Sequence, residues 1–217
     1  DRTEPYIKRT VYVGNNLDAF DEGACNRASE VYKPDDELWV TYAGTMGKSQ
    51  DLATLIEAIA QAAHKDPRIR GKLLGDGPSR PSLQQLSFRD AAPVDFVGYV
   101  EHDLMAAYLC ASDITVNSLV KSAAQSIVTK IGDYLAAGIP LVNTGSSPEF
   151  RAKVEADGFG VNVEAEDAPA LANVIADLAR DPGKRAEMGR RGRAVAEEQF
   201  DQERSYREIV DLVRSLV

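Results

Sequence analysis

Two rhythms of apolar residues alternate along the chain. Short runs rich in β-formers, such as LWVTYAG and VDFVGYV, are each followed by a stretch in which apolar residues recur every three or four positions. The first rhythm marks strands buried on both faces and the second amphipathic helices. From Leu38 onward the pattern predicts strands at LWVTYAG, KLLGDG, VDFVGYV, DITVNS, IPLVNT and GVNV. Between them fall helices: DLATLIEAIAQAAH, with Leu52, Leu55, Ile56 and Ile59 on one face, then stretches around SLQQLSF, DLMAAYLCAS, TKIGDYLAAG and PEFRAKVEADG. Gly138 and Pro140 mark a helix stop and a strand start, because glycine accepts the left-handed cap and proline cannot continue a helix. The remainder reads as three packing helices, APALANVIADLAR, PGKRAEMGRRGRAVAEEQF and QERSYREIVDLVRSLV. In the last of them Tyr206, Ile209, Val210, Val213 and Leu216 form a stripe at helical spacing, which reads as core.

Strands alternating with helices in this way imply an α/β fold, a doubly wound, Rossmann-like parallel sheet of about six strands with helices on both faces. A barrel would need about eight such units. Residues 1–34, with the β-like run RTVYVG and the turn-rich NNLDAFDEG, read as a lead-in and linker, and residues 35–217 as a single domain.

Charge narrows the function. With 25 Lys and Arg against 34 Asp and Glu, the formal net charge is −9, so no general affinity for nucleic acid or anionic lipid is expected and any phosphate must be held locally. The basic stretch KRAEMGRRGR reads as a solvated helix face. No apolar run approaches the roughly 20 residues of a membrane span, and DRTEPYIKRT has no signal-peptide core. Cys25 and Cys110 lie in no metal-binding spacing and suit a reducing, cytoplasmic compartment. His64 and His102 have no ligand spacing; neither is a catalytic candidate.

In an open α/β sheet, ligands bind beyond the carboxyl ends of the strands. Four strand ends qualify. Gly44-Thr45-Met46-Gly47-Lys48-Ser49-Gln50 invites a P-loop reading, but that motif needs a glycine where Tyr42 stands. Its small residues still let backbone approach an anion, and Lys48 could neutralise a phosphate. Gly75-Asp76-Gly77-Pro78 is a tight turn without the dinucleotide-binding spacing, which argues against a dehydrogenase. At the third, Gly98 could line a pocket and Tyr99 cover a flat ring. The fourth, SAAQSIVTKIGDYLAAGIP, has a polar loop with Ser122, Gln125 and Ser126 ahead of a helix on which Lys130 and Asp133 stand three apart, hence on one face. Amides near Ile127 and Val128 would face an anion with Lys130 beside them, and ionised Asp133 suits a ribose diol. A plain Lys130–Asp133 surface pair is the alternative.

Taken in order, VYVGNNLDAF, YAGTMGKSQDLATLIEA, LLGDGP, VDFVGYV, SIVTKIGDYLAAGIPLV, GFGVNV and DLARDPGKRAEMGRRGRAVAEEQFD resemble the C-terminal, donor-binding domain of a GT-B-fold retaining glycosyltransferase, of the group that includes glycogen synthase and many bacterial surface-polysaccharide transferases. The resemblance implies a nucleotide-diphosphate sugar, UDP-linked in expectation, whose sugar passes with retention to a glycan or lipid-linked acceptor held by an N-terminal domain. That domain is not expected in this chain, so the domain alone is expected to be inactive and the whole protein cytoplasmic or peripheral at the inner membrane; the family's last helix crosses back to the N-terminal domain, which implies that part of the Tyr206–Leu216 stripe lies uncovered here. No cofactor and no metal are implied, and no Asp-x-Asp motif occurs.

Carried over by position, Gly44, Thr45, Gly47 and Lys48 would line the phosphate and sugar side, with Gly75 and Gly77 in the neighbouring turn and Tyr99 near the base. Ser126, Ile127, Val128, Thr129 and Lys130 would cradle the diphosphate. Gln125 and Asp133 fall where the family usually places paired glutamates that hold the donor sugar and the ribose, and the first loop lacks the family's usual arginine. The GxxGKxQ loop and TKIGDYLAAG helix resemble a branch transferring N-acetylated or deoxy amino sugars. The catalytic candidates are thus Lys48, Lys130 and Gln125. Two other readings stay open: a GT-B-fold UDP-sugar epimerase, whose catalytic His fits neither His64 nor His102, and a silent nucleotide-binding domain, prompted by Gln125.

Overall fold

The computed structural model describes residues 14–21, 31–123 and 129–215. The run RTVYVG lies outside the described residues except for Gly14, as do Cys25 and residues 124–128. The strands are β1 (Leu38–Ala43), β2 (Ile69–Leu74), β3 (Val94–Gly98), β4 (Ile114–Asn117), β5 (Leu141–Asn143) and β6 (Gly160–Asn162). They form one parallel sheet in the order β3-β2-β1-β4-β5-β6. Helices α1 (Leu52–Lys65), α2 (Arg80–Arg89), α3 (His102–Ala111), α4 (Lys130–Ala136) and α5 (Pro148–Asp157) alternate with the strands. Helices α6 (Ala168–Arg180), α7 (Pro182–Gln199) and α8 (Gln202–Ser215) close the order.

Every residue of β1 is buried, and the pleat divides them. Leu38, Val40 and Tyr42 join one core with Leu52, Leu55, Ile56 and Ile59 of α1 and Leu171 and Ile175 of α6. Ala43 joins the other with Leu109 of α3, Ile131, Tyr134 and Leu135 of α4 and Val195 of α7. A 3₁₀ turn, Leu17–Phe20, is capped by the Asn16 side chain and buries Leu17 and Phe20 in that second core. Gly138 has a φ of 69°, the left-handed value its place after α4 demanded.

Chain order reverses between β1 and β4, so a crevice opens above that junction, where such sheets bind ligands. Its floor is backbone packed on backbone. The Gly44 amide donates to the Leu74 carbonyl, Gly75 to Gly98, Met46 to Asp76 and Ser79 to Met46, all at 2.7–3.0 Å. A Cβ on Gly75 would stand 2.1 Å from the Gly44 oxygen, and one on Gly77 2.6 Å from the Met46 oxygen.

Helix α8 corrects the reading of its stripe as core. Tyr206, Val210 and Val213 are 52%, 45% and 56% exposed, and only Ser205 is buried. Periodicity showed an amphipathic helix without saying what lies against it; Leu216 falls outside the described residues. The KRAEMGRRGR face is largely solvated, with Arg190 and Arg191 paired to Glu187, whereas Arg193 turns inward to the carbonyls of Phe20 and Ala136. Among the described residues no helix is long and apolar enough to cross a membrane.

Gly75→Ala, with a φ of 112° and no room for a Cβ, is expected to cost about 2 kcal/mol or more in urea unfolding. Gly47→Ala, where a Cβ meets only the Thr45 methyl at 3.9 Å, is expected to stay within about 0.5 kcal/mol.

Candidate functional site

A cavity of about 300 Å³ lies over the carboxyl ends of the first three strands. Gly44 and Thr45 after β1, Gly75 and Asp76 after β2, and Tyr99 and Val100 after β3 line it, with Met105 of α3. Tyr99 is 74% exposed at the rim, leaving its ring face free. Thr45 is exposed and Gly47 half-buried. Lys48 is exposed and makes no ion pair among the described residues. Gly75 and Gly77 are required first for close packing of the loops, and that same packing brings Gly75 to the cavity surface.

The fourth strand end is built around α4, a helix of seven residues. So short a helix cannot hold itself and is set by its neighbours. Tyr134 is fully buried; its hydroxyl accepts from the Ala43 amide at 2.8 Å and donates to the Ala43 carbonyl at 3.0 Å. Lys130, one turn earlier on the same side, reaches over the first loop. Its Nζ donates to Gln50 Oε1 at 2.8 Å and lies 4.2 Å from the centre of the Tyr42 ring. Its Cδ is 3.7 Å from where a Cβ on Gly44 would stand. Burial lowers its pKa to about 7. Burial also raises the pKa of Tyr42, whose hydroxyl donates to the Thr45 carbonyl, so the ring is a neutral partner. Among the described residues no carboxylate pairs with Lys130.

Asp133 points elsewhere. It is 8% exposed, and its Oδ1 lies 3.4 Å from Nε2 of His102, which opens to solvent. Burial raises its pKa, while the Asn15 amide and His102 pull it down. Lys130 and Asp133 therefore engage different partners, and the surface pair between them does not form. Three apart is close enough to share a face, but the long lysine stem sweeps to the first loop while the short aspartate stays inside. Thr129 is exposed at the head of α4, and Ser122 is exposed in the preceding loop. Gln125, Ser126, Ile127 and Val128 lie outside the described residues.

Four groups in this arrangement went unassigned in the sequence: Asn15, His102, Gln50 and Tyr134. Gln50 carried a signal, since it closes the GxxGKxQ pattern. Lone His102 and Asn15, in a turn-rich stretch far from α4, carried none. Chemically, the site joins an open cavity with an exposed aromatic face to a cation that lacks a counter-ion. Among the described residues no group of three or more His, Cys, Asp or Glu stands where it could share a metal ion.

The model of the family described as glycosyl transferases group 1 matches residues 37–181. A GDP-mannose-dependent monoacylated alpha-(1-6)-phosphatidylinositol monomannoside mannosyltransferase of Corynebacterium glutamicum is 27% identical over 77% of this chain and 44% of its own length. The lipopolysaccharide core biosynthesis glycosyltransferase LpsE of Rhizobium meliloti is 28% identical over 90% of this chain and 55% of its own. This chain thus spans about half the length of these curated relatives. Among solved structures, HepE of Anabaena in complex with UDP superposes with a TM-score of 0.80 at 20% identity, over 95% of this chain and 57% of that one. With the family model matching well over half its residues, and with a six-stranded parallel sheet shared with such structures, this chain belongs to the group 1 glycosyl transferases and has the fold of their C-terminal, GT-B domain.

Proposed function

We propose that this chain is the donor-binding half of a glycosyltransferase that takes a sugar from a nucleotide-diphosphate sugar, UDP-linked, and passes it with retention to a glycan or lipid-linked acceptor. The observation that carries the reading is Lys130: a desolvated ammonium beside the cleft whose partners are an amide oxygen and an aromatic face. A half-buried cation with no carboxylate beside it among the described residues is unfavourable until an anion supplies the missing charge. A diphosphate between the Gly44–Gly47 loop and Lys130 does so, and exposed Lys48 stands at the end of the same loop. The base lies in the cavity against Tyr99, where the lining is largely apolar. The ribose diol reaches Asp133 beside His102, whose 3.4 Å contact is weak enough to exchange for a hydroxyl. HepE, of the same fold, was solved with UDP, and the curated relatives are named for sugar transfer to lipid and to lipopolysaccharide.

In the reaction, the bond from the anomeric carbon to the diphosphate oxygen breaks as the acceptor oxygen attaches, and negative charge grows on the departing diphosphate. Groups already aimed at that charge stabilise it without reorganising. Lys130 and Lys48 have that role here, and the loop 125–129, whose residues 125–128 lie outside the described ones, is carried over from the sequence as the cradle of the sugar and phosphates. Hexosyl or N-acetylhexosaminyl transfer fits the hydrogen-bonding side chains of this loop. The acceptor belongs to an N-terminal domain outside this sequence, so the chain alone binds donor without turning it over, and no metal is required of its residues.

Calorimetric titration with UDP is expected to give saturable binding that Lys130→Met weakens ~10- to 100-fold. Absence of binding by UDP, GDP and ADP at millimolar concentration, or a Lys130→Met variant that titrates like the parent, overturns the reading. Affinity should fall between pH 7.5 and 9.5, by up to about tenfold per unit, because the ammonium released near pH 7 must be re-protonated to meet the anion; the variant should lose this slope. Without ligand the sign reverses. The unfolded chain keeps this proton until about pH 10.5 while the folded chain releases it near 7, so unfolding takes up a proton in that window. Stability should therefore rise with pH from about 7 toward 10 relative to Lys130→Met, read as urea midpoints of both proteins.

A further inference from the structure

Two stretches of chain meet on the side of α4 away from β1. The Asn15 amide donates to the Phe200 carbonyl at 2.7 Å, and its carbonyl accepts from the Gln202 amide at 3.1 Å, making a parallel bridge with Asp201 at the entry to α8. The backbones touch there, for a Cβ on Gly14 would stand 2.4 Å from the Asp201 carbonyl carbon. The Asn15 side chain runs the other way. Its Nδ2 donates to the Thr129 carbonyl at 3.3 Å. Its amide lies on Gly132, where a Cβ would stand 3.0 Å from both Cγ and Oδ1, and beside the Asp133 carboxylate, whose charge it favours. Thr129, Gly132 and Asp133 are spaced i, i+3, i+4 and form one face of α4. Lys130 and Tyr134 form the face toward β1. Asn15, which does not line the cavity, thus grips the face of α4 that carries Asp133, while the other face carries the Lys130 ammonium.

We propose that Asn15 is a positioning residue that couples the nucleotide site to the entry of α8, so that a nucleoside diphosphate bound at Lys130 tightens the pairing of residues 14–16 with 200–202. The inference rests on the nucleotide reading of the site. A helix of seven residues moves as a unit, so drawing Lys130 onto a diphosphate shifts the three groups that hold the Asn15 side chain. The entry of α8 is suited to respond. It is held by hydrogen bonds, Asn15 to Phe200 and Gln202, and Ser205, through both its amide and its hydroxyl, to the Asp201 carbonyl, and past Phe200, which is buried in the second core, α8 buries no apolar side chain fully. Segments with little buried apolar surface open at low free-energy cost, and small changes in their contacts alter that opening. Linkage makes the effect reciprocal: whatever fixes the start of α8 also favours nucleotide binding.

The test is hydrogen–deuterium exchange of the chain with and without saturating UDP, on the parent, Asn15→Ala and Gly132→Ala. In the second variant the added methyl meets the Asn15 amide first, 3.0 Å from its Cγ and Oδ1, and alanine favours helix over glycine, so the fold is kept. In the parent, UDP is expected to slow exchange at 14–16 and 200–205 by about threefold or more, and in both variants UDP still binds by calorimetry but no longer slows exchange there. Protection that persists in the variants assigns Asn15 a purely structural role and overturns the coupling, as does UDP binding in the parent without protection at these segments. If UDP, GDP and ADP all fail to bind the parent, the nucleotide reading falls and takes the coupling with it, an outcome the calorimetry separates from loss of coupling alone.

Discussion

The phenol of Tyr134 both accepts from and donates to the backbone of Ala43, and on that pair of hydrogen bonds the geometry of the cleft depends. Helix α4 is too short to be stable through its own hydrogen bonds. Pinned to the last residue of β1, it carries Lys130 to the first loop, at the end of the strand beside which the sheet reverses its order. With Tyr134 fully buried, the two hydrogen bonds satisfy a hydroxyl and a strand-end backbone that would otherwise be costly to bury. The same docking leaves the opposite face of α4 against Asn15.

Two lysines of this fold, one in the sheet and one on α4, make the character of the site clear by contrast. Lys72, in the middle of β2, is 9% exposed, yet its Nζ lies 2.6 Å from Asp95, 3.7 Å from Glu37 and 4.3 Å from the centre of the Trp39 ring. That cation is fully compensated and belongs to the architecture at the edge of the sheet. Lys130 has the aromatic face but an amide in place of the carboxylates, and burial accordingly moves its proton equilibrium to about 7. Among the described residues the two lysines differ in counter-charge.

The alternation of strands and helices was legible because strands such as β1 are nearly all apolar and helices such as α1 keep one apolar face; β2, which carries Arg70 and Lys72, starts three residues before the KLLGDG run that marked it. The small residues at 44–47 and 75–77 were legible as strand-end loops, though the reason for Gly75 and Gly77 lies in a backbone contact between segments distant in sequence. The directions of Lys130 and Asp133 were not legible, because spacing fixes the face of a helix but not the reach of a side chain. Asn15 and His102 meet Asp133 only through the tertiary fold, and no local periodicity encodes such a meeting. The stripe on α8 was visible as a stripe, and its exposure was not, since amphipathicity is a property of one helix and burial a property of two surfaces.

Two glycines line the cavity, Gly75, whose missing side chain is replaced by the Gly44 carbonyl, and Gly44, whose own is crowded by the Tyr42 hydroxyl, whereas Tyr99, Val100 and Met105 on the walls are ordinary side chains. Mutational freedom is therefore divided unevenly around one ligand space. Gly75 is frozen by backbone packing and Val100 and Met105 are tied to the second core, so drift that leaves foldability untouched is concentrated at the exposed wall position, Tyr99.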